Sequence, residues 1–220
     1  MSATPGDGAP LYGPAVGRAL SYAAGQHAGQ RRKGKDEPYL SHVLLVASLV
    51  TRYGGTEEQI IAGALHDVPE DCGGEPKLEE IGAMFGPDVM AIVADCTDSL
   101  VTDPDTKAPW RERKLAHLEH VRHGMRPDSA LVAACDKLAN LTDLAADVER
   151  GGDTVLGRFR GGAVGTRAYY AATVALLAPR IPAAAAIELE TLLARLKAEP
   201  VPLGADPVVE FRRRTAQLQG

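Results

Sequence analysis

The chain has 220 residues, of which 45% are hydrophobic, and it carries a formal net charge of -5 at pH 7. This length and apolar content suit one domain with a buried core and exclude a mostly disordered chain. The acidic balance argues against sequence-independent nucleic-acid binding, and no apolar run approaches the roughly 20 residues that a membrane-spanning helix needs.

The cysteines and the N-terminal sequence bear on the cellular compartment. Cys72, Cys96 and Cys135 form an odd, sparse set without Cys-x-x-Cys spacing, which predicts neither a disulfide framework nor a thiolate zinc site. The first residues, MSATPGDGAPLYGP, lack the charged-then-apolar order of a secretory signal peptide. We therefore expect reduced thiols and a cytoplasmic protein that binds neither membrane nor nucleic acid.

The first half of the chain is predicted to be helical. Residues 1–13 are rich in Gly and Pro and are predicted to be a flexible lead-in. Apolar residues then recur at helical spacing over 14–31 and again after Pro38, a pattern typical of helices with one buried face. Gly54-Gly55 is expected to end the second helix, and Thr56 is positioned to cap the third.

The second half of the chain carries further predicted helices and no convincing strand, because no sustained period-two alternation occurs. Two short helices are split at Gly86-Pro87, and the glycine-rich residues 151–165 are predicted to be a loop. The sequence therefore predicts an all-α, multi-helix fold with a main domain over 14–180 and a C-terminal helical extension over 181–220. The other predicted helices of this half span 110–122, 127–149, 166–178 and 182–199.

The string His66-Asp67-Val68-Pro69-Glu70-Asp71 places four ionisable side chains within six residues at the end of an apolar helix. An exposed polar helix end would give a similar string by chance. Pro69 disfavours helical conformation at the preceding residue and lacks an amide hydrogen, so we expect the helix to end near Asp67 or Val68. Glu70 and Asp71 are then expected on the turn beyond it.

Two further helices carry polar residues in apolar surroundings. On the first of these helices the polar residue is His42. A lone histidine of this kind is more often a core or edge residue than a ligand. Asp136 and Asn140 lie four positions apart, hence on one helical face. A carboxylate there needs a partner, because burying an unpaired charge is costly. A salt bridge or a helix-to-helix hydrogen bond is the alternative to a ligand role for Asp136.

Together these residues supply two imidazoles and two carboxylates from separate helices, namely His42, His66-Asp67 and Asp136. This mixed nitrogen and oxygen set suits Mn²⁺ or Fe, and less specifically Zn²⁺ or Mg²⁺. It leaves positions for water and a phosphate oxygen, and a metal there lowers the pKa of bound water. Glu70 and Asp71, which are not needed as ligands, are then placed for proton transfer or water orientation.

The order of these residues is similar to that of the HD-domain phosphohydrolase superfamily. From about residue 15 to about residue 180, the chain resembles the hydrolase domain of RelA/SpoT-type enzymes more closely. Without a synthetase segment, it most resembles the small alarmone hydrolases. The blocks that carry this resemblance are Gln30-Arg31-Arg32-Lys33, Pro38-Tyr39-Leu40-Ser41-His42, His66-Asp67-Val68-Pro69-Glu70-Asp71, Cys96-Thr97-Asp98, Glu112-Arg113-Lys114 and Asp136-Lys137-Leu138-Ala139-Asn140-Leu141.

The resemblance implies an all-α HD-domain fold and a Mn²⁺-dependent enzyme. Members of this family remove the 3′-pyrophosphate of guanosine tetra- and pentaphosphate, so the expected partner is a small guanosine alarmone. Glu70 and Asp71 match the pair that handles the nucleophilic water. The residues that match the metal ligands are His42, His66, Asp67 and Asp136.

For the substrate, the resemblance implies contacts from Arg32 and Lys33 to the base and phosphates, and a place for Asn140 near the ribose and metal. The planar guanidinium of Arg32 can stack on guanine, whereas Lys33 offers a point charge to phosphate. The chain departs from the family at Ala133, where a lysine usually stands. It also departs over 151–165, and the groups in and just after this segment that are available to reach a nucleotide are Arg158, Arg160, Tyr169 and Tyr170.

These departures keep two alternatives open. One is an HD phosphohydrolase that acts on another nucleotide, such as a deoxynucleotide or NADPH. The other is a nucleotide-sensing module with a degenerate site, which the complete set of motif residues argues against.

The other histidines are weighed separately. His27 is expected to be a packing or surface residue, with substrate contact as the alternative. His117, His120 and His123 share one predicted helix with several Arg and Lys residues, which favours a solvated face over a second metal site.

Overall fold

A computed structural model describes residues 11–101, 103 and 105–218 of the chain. Over these residues the secondary structure is helical, with a single isolated antiparallel bridge between Arg31 and Pro38 and no strand. The all-α prediction is therefore confirmed. The predicted flexible lead-in over 1–13 lies almost wholly outside the described residues.

Eleven α-helices and two short 3-10 helices are formed by the residues that the structure describes. The first six α-helices are α1 (Ala15–Gln26), α2 (Leu40–Arg52), α3 (Glu57–Leu65), α4 (Val68–Cys72), α5 (Glu75–Phe85) and α6 (Pro87–Cys96). The other five are α7 (Trp110–His123), α8 (Ser129–Gly151), α9 (Gly162–Leu177), α10 (Ala183–Arg195) and α11 (Pro207–Arg214). The 3-10 helices are Gly152–Arg158 and Ala178–Arg180.

Two predicted helix boundaries are confirmed by their local chemistry. Thr56 caps α3, since its side chain accepts a hydrogen bond from the Gln59 amide at 3.3 Å and the Gln59 side chain accepts one from the Thr56 amide at 2.9 Å. This reciprocal pair satisfies two amides that the first turn of a helix leaves free. Gly86 separates α5 from α6 at a φ of 96°, a conformation that glycine adopts without strain.

Helix α8 lies at the centre of the fold, in contact with α2, α3, α6 and α10. Its 23 residues include a nearly continuous buried stripe, in which Leu138 and Leu141 are fully buried. Burying one such side chain stabilises the fold by roughly 1.5–3 kcal/mol, so the stripe fixes how the neighbouring helices pack. Because α2 and α3 pack on α8, the polar residues that these helices carry are brought towards the same side of the core.

The connection after α3 differs from its prediction. Helix α3 ends at Leu65, within two or three residues of the expected end, but Glu70 and Asp71 lie in a second short helix, α4, rather than on a turn. Pro69 occupies an early position of α4, where its missing amide hydrogen costs nothing and its fixed φ suits the helix. The proline therefore starts a helix as well as ending one.

The glycine-rich segment also differs from its prediction as a loop. Residues Gly152–Arg158 form a 3-10 helix and α9 begins at Gly162. The fully buried Leu156 anchors the segment in the core, so packing overrides the low helix propensity of its glycines.

Beyond residue 180, α10 packs on α8, and α11 packs on α9 and α7. The division into a domain over 14–180 and an extension over 181–220 stays a prediction. Cys72, Cys96 and Cys135 are free thiols. Among the helices described, none combines the length and the apolar character that crossing a membrane requires.

Candidate metal centre and adjoining cavities

Three parts of the fold bring the four predicted metal ligands together. His42 projects from α2, His66 and Asp67 lie between α3 and α4, and Asp136 projects from α8. One donor atom from each of His42, His66 and Asp67 lies within 4.8 Å of the others. Asp136 completes the group, since its Oδ1 lies 3.3 Å from His42 Nε2 and 3.6 Å from His66 Nε2.

Both imidazoles direct their Nε2 atoms into the centre of this group. His66 Nδ1 lies 2.9 Å from the Gly63 carbonyl oxygen and donates its hydrogen there, so in the neutral imidazole that binds a metal the lone pair is on Nε2. The two Nε2 atoms are only 3.3 Å apart. Two lone pairs at that distance repel unless a proton or a cation lies between them, so the arrangement fits a divalent cation.

The electrostatics of the two carboxylates are consistent with this fit. Burial alone raises the pKa of Asp67 and of Asp136. In Asp67 the charge of His66 and hydrogen bonds from both imidazoles outweigh burial, and its pKa lies well below its usual range. The charge of Lys137 and hydrogen bonds from the same imidazoles likewise hold the pKa of Asp136 well below its usual range. Both groups therefore remain carboxylates, as metal ligands must.

A second set of residues holds the carboxylates in place. The Tyr39 hydroxyl donates to Asp67 Oδ2 at 2.5 Å. Lys137 Nζ donates to Asp136 Oδ2 and Asn140 Nδ2 donates to Asp136 Oδ1, each at 2.5 Å. Such partners orient metal ligands and tune their basicity. Sequence reasoning gave no role to Tyr39 or Lys137, although Lys137 directly follows Asp136 and Tyr39 lies three positions before His42 in the motif blocks.

A cavity of about 360 Å³ adjoins the group. Glu70 and Asp71, the predicted catalytic pair, line it together with Asp67 and Asp136. Burial is the main cause that raises the pKa of both Glu70 and Asp71, and the nearby charges of Asp98 and Asp67 respectively act in the same direction. Carboxylates of raised pKa beside a cavity are suited to accept protons.

The same cavity has a basic wall. Its cationic members are Lys33, Arg113, Lys114 and Lys137. Lys114 and Lys137 lie over the ring of Tyr169, with Nζ 4.7 and 6.0 Å from its centroid, and Lys114 Nζ is 3.2 Å from Asp98 Oδ2. A wall of this charge beside a cluster of carboxylates suits a substrate with several phosphates.

A smaller cavity of about 170 Å³ lies beside the first and shares Lys33, Tyr39, Asn140, Phe159 and Tyr170 with it. The guanidinium of Arg32 lines it and donates to Asn140 Oδ1 at 2.8 Å and to Asp143 Oδ2 at 3.2 Å. All three predicted substrate residues, Arg32, Lys33 and Asn140, are thus brought to these cavities. Their contact with a nucleotide stays a prediction.

The departures from the family pattern have definite positions. Ala133 is buried in the core on α8 and lines neither cavity. Tyr169 lines the larger cavity, Tyr170 lines both, and Arg158 lines the smaller one. Arg160 is exposed. The alanine at position 133 is therefore part of the core and not of either cavity wall.

The histidines of α7 do not all lie on a solvated face, as the sequence suggested. His117 is buried and lines the larger cavity, and His120 Nε2 lies 2.8 Å from Asp95 Oδ1. His123 is exposed. Burial is the main cause that lowers the pKa of His117 to about 3, and the charges of Lys137 and Lys114 lower it further. The prediction was wrong for His117 because the helix turns that residue towards the cavity.

The helical fold and the group of two imidazoles and two carboxylates are those of an HD-domain protein. A family model described as HD domain matches residues 19–155, and the chain belongs to this family. Its relatives include proteins named guanosine-3′,5′-bis(diphosphate) 3′-pyrophosphohydrolase MESH1. The one from Xenopus tropicalis is 39% identical over 129 residues, which cover 57% of this chain and 67% of the relative.

Further relatives of the same name are found in other animals. The Homo sapiens protein is 36% identical over 129 residues, with 57% of this chain and 67% of the relative covered. The Drosophila melanogaster protein is 33% identical over 135 residues, with 60% and 70% covered. These relatives of this chain within the HD-domain family are thus named as hydrolases.

Two solved structures are similar in fold. One is described as a metazoan ortholog of SpoT that hydrolyzes ppGpp and plays a role in starvation responses. It has a TM-score of 0.56 and 24% identity, and covers 95% of this chain and 98% of its own. The other is lmo0812 from Listeria monocytogenes EGD-e, with a TM-score of 0.57, 30% identity and coverage of 69% and 96%. The first likeness, at that identity, shows the fold alone.

Proposed function

We propose that this protein is a Mn²⁺-dependent 3′-pyrophosphohydrolase of guanosine tetra- and pentaphosphate. The observation that carries the proposal is the cluster of His42, His66, Asp67 and Asp136 beside a cavity lined by a carboxylate pair and a basic wall. The relatives named for this reaction support the choice of substrate, since they are 33–39% identical to this chain over 129–135 residues.

The metal would be held by His42 and His66 through Nε2 and by the carboxylates of Asp67 and Asp136. When bound, a divalent cation supplies Lewis-acid chemistry, lowering the pKa of water and offsetting charge on the phosphoryl group. Two imidazoles with two carboxylates suit Mn²⁺ or Fe better than Mg²⁺, which favours all-oxygen ligands. Zn²⁺ and Mg²⁺ are therefore the comparison metals for any activity measurement.

The carboxylate pair would manage the protons of the reaction. Asp71 or Glu70 takes a proton from water as its oxygen attacks the phosphorus bonded to the 3′ oxygen of the ribose. The bond between that phosphorus and the 3′ oxygen breaks, pyrophosphate departs, and the 3′ oxygen takes up a proton to become a hydroxyl. The products of guanosine tetraphosphate are GDP and pyrophosphate.

The basic wall would bind the phosphates and the smaller cavity the nucleoside. Arg113, Lys114 and Lys137 supply fixed positive charge that would offset the negative charge of the pyrophosphate while water attacks its phosphorus. The planar guanidinium of Arg32, which Asn140 and Asp143 hold on one side, is available to stack on a purine. The proposed reaction requires the 3′ side of a nucleoside bound in this way to face the metal ligands.

The test is hydrolysis of guanosine tetraphosphate by the purified, Mn²⁺-loaded protein, with GDP and pyrophosphate separated by anion-exchange chromatography. We expect turnover by the wild type and its loss in Asp67→Asn, whereas Asp88→Asn, which changes an exposed carboxylate, should behave like the wild type. NADPH and deoxynucleotides are tested in parallel. Faster turnover of any of these would overturn the substrate assignment, and failure of the intact protein to bind any divalent metal would indicate a degenerate sensing module.

A further inference from the structure

A buried histidine outside the metal ligands is connected to the carboxylate pair. His27 is 2% exposed, and its Nδ1 lies 2.6 Å from Gln30 Oε1. The other end of the Gln30 amide, Nε2, donates to Asp71 Oδ2 at 2.7 Å. The three side chains thus form one continuous hydrogen-bonded chain from the core to the cavity.

The direction of each hydrogen bond in this chain follows from the carboxylate. An ionised Asp71 has acceptors only, so the amide must turn its NH₂ group towards Asp71 and its oxygen towards His27. His27 must then carry its proton on Nδ1 in order to donate. Its Nε2 is buried and has no hydrogen-bond partner among the described residues. An unprotonated nitrogen tolerates such a position better than an N–H group, which would be a donor left unsatisfied.

His27 also supports the residues around Asp67. Its ring stacks on Tyr39, with ring centroids 4.9 Å apart and an interplanar angle of 29°. Tyr39 donates to Asp67 Oδ2, and its own amide donates to the Gln30 carbonyl oxygen at 2.9 Å. One buried imidazole therefore supports a metal ligand through a ring contact and Asp71 through a hydrogen-bonded amide.

The Gln30 amide can position Asp71 but cannot pass a proton from His27 to it. A carboxamide lies between His27 and Asp71, and an amide does not take up one proton and release another without forming a high-energy tautomer. The link can nevertheless fix where the carboxylate points. Asp71 Oδ2 is occupied by Gln30, and Oδ1 has no hydrogen bond to any residue that the structure describes.

We propose that His27 is a positioning residue, which acts through Gln30 to hold Asp71 Oδ2 so that Oδ1 stays available to the attacking water. This inference rests on the proposed role of Asp71 as a proton acceptor in the function above. It assigns to Gln30 the role of a link, whose amide oxygen accepts from the His27 imidazole and whose NH₂ group donates to the Asp71 carboxylate. Positioning of this kind contributes to rate through the orientation of the reacting groups.

The kinetic test compares two variants of the metal-loaded enzyme. His27→Phe keeps the ring that stacks on Tyr39 but has no donor for Gln30, whereas His27→Asn places an N–H group near the position of Nδ1. We expect kcat to fall about tenfold in His27→Phe, with KM and bound Mn²⁺ unchanged, and most of the loss to be recovered in His27→Asn. Gln30→Met, at a half-buried position, tests the same link if the phenylalanine variant does not fold.

The structural test does not depend on the substrate. In the Mg²⁺-loaded wild type, ¹⁵N NMR of His27 should show a protonated Nδ1 and an unprotonated Nε2, and a crystal structure of His27→Phe should show Asp71 turned from its place. An unchanged kcat in the variants, an Nε2-protonated His27 or an unmoved Asp71 would overturn the inference. If the wild type leaves guanosine tetraphosphate intact, the proposed function fails, and the spectrum and crystal structure still decide whether His27 positions Asp71.

Discussion

The Tyr39 hydroxyl donates a 2.5 Å hydrogen bond to Asp67 Oδ2, the oxygen that also faces both imidazoles of the candidate metal centre. Burial, with the negative charges of Asp67 and Asp71, raises the pKa of Tyr39 above its ordinary value, so the phenol keeps its proton. A single tyrosine outside the ligand set thereby fixes which way the Asp67 carboxylate points.

Tyr39→Phe should weaken Mn²⁺ binding by about 10–100-fold, because partners of metal ligands typically contribute that much to affinity. The measurement is a Mn²⁺ titration of the metal-free protein. Tyr53→Phe is the matched control, since it also removes one hydroxyl, in that case the one bonded to Glu188. Unchanged affinity in Tyr39→Phe, or an equal loss in both variants, would contradict the role given to Tyr39.

Lys107→Gln should alter the pH dependence of the reaction. Lys107 Nζ lies 3.0 Å from Glu70 Oε1 and lowers the pKa of Glu70, against the larger effect of burial and that of Asp98. Without this lysine the pKa of Glu70 rises further, so less of the ionised form is present on the acid side. We expect kcat/KM to fall several-fold more below neutrality than above it.

The control for that profile is Lys197→Gln, which removes the same charge at an exposed position. A pH profile of kcat/KM for the three proteins makes the comparison. Parallel profiles for wild type and Lys107→Gln would show that Glu70 does not need its charge in the reaction.

Arg32→Lys should affect nucleotide binding more than chemistry. The guanidinium of Arg32 donates to Asn140 and Asp143 at once, and a lysine cannot reproduce this planar fork or its stacking face. We expect KM for guanosine tetraphosphate to rise about tenfold with kcat within about twofold of the wild type. Arg31→Lys, at the exposed neighbouring position, should leave both constants unchanged. An equal KM in the two variants would remove Arg32 from the binding site.

His117 should make the free energy of unfolding depend on pH. Burial and two lysines lower its pKa in the folded state to about 3, against an ordinary value of 6.5. Below pH 6.5 the unfolded chain therefore binds a proton that the folded chain rejects, so this residue lowers the free energy of unfolding as the pH falls from 6.5 towards 3. The effect is at most about 1.4 kcal/mol for each pH unit.

Urea unfolding between about pH 7 and about pH 5 tests this effect. The free energy of unfolding of His117→Gln should fall less over this range than that of the wild type, because glutamine binds no proton. His123→Gln, at the exposed end of the same helix, should follow the wild type. Equal slopes for the wild type and His117→Gln would mean that His117 is protonated in the folded protein.

The helical fold and the four candidate ligands could be predicted from the sequence. Helical spacing of apolar residues predicted α2, α3 and α8, and the motif residues lie on α2 and α8 and directly after α3. The capping pattern at Thr56 and the break at Gly86-Pro87 were readable because they depend on residues adjacent in the chain.

Features that depend on packing were not readable. Gln30 reaches Asp71 across 41 positions of the chain, and Lys107 reaches Glu70 from a different loop, so no local spacing predicts either contact. His117 was assigned to a solvated face because its neighbours are charged, but two of those neighbours, Arg113 and Lys114, line the cavity. The helix propensity of single residues likewise missed the 3-10 helix that Leu156 anchors.

The most direct test of the account is a crystal structure of the Mn²⁺-loaded protein with an anomalous difference map measured at the manganese edge. We expect one strong peak within bonding distance of His42 Nε2, His66 Nε2 and the carboxylates of Asp67 and Asp136. A peak bound by other residues, or a fully metal-loaded crystal without density at these four side chains, would contradict it.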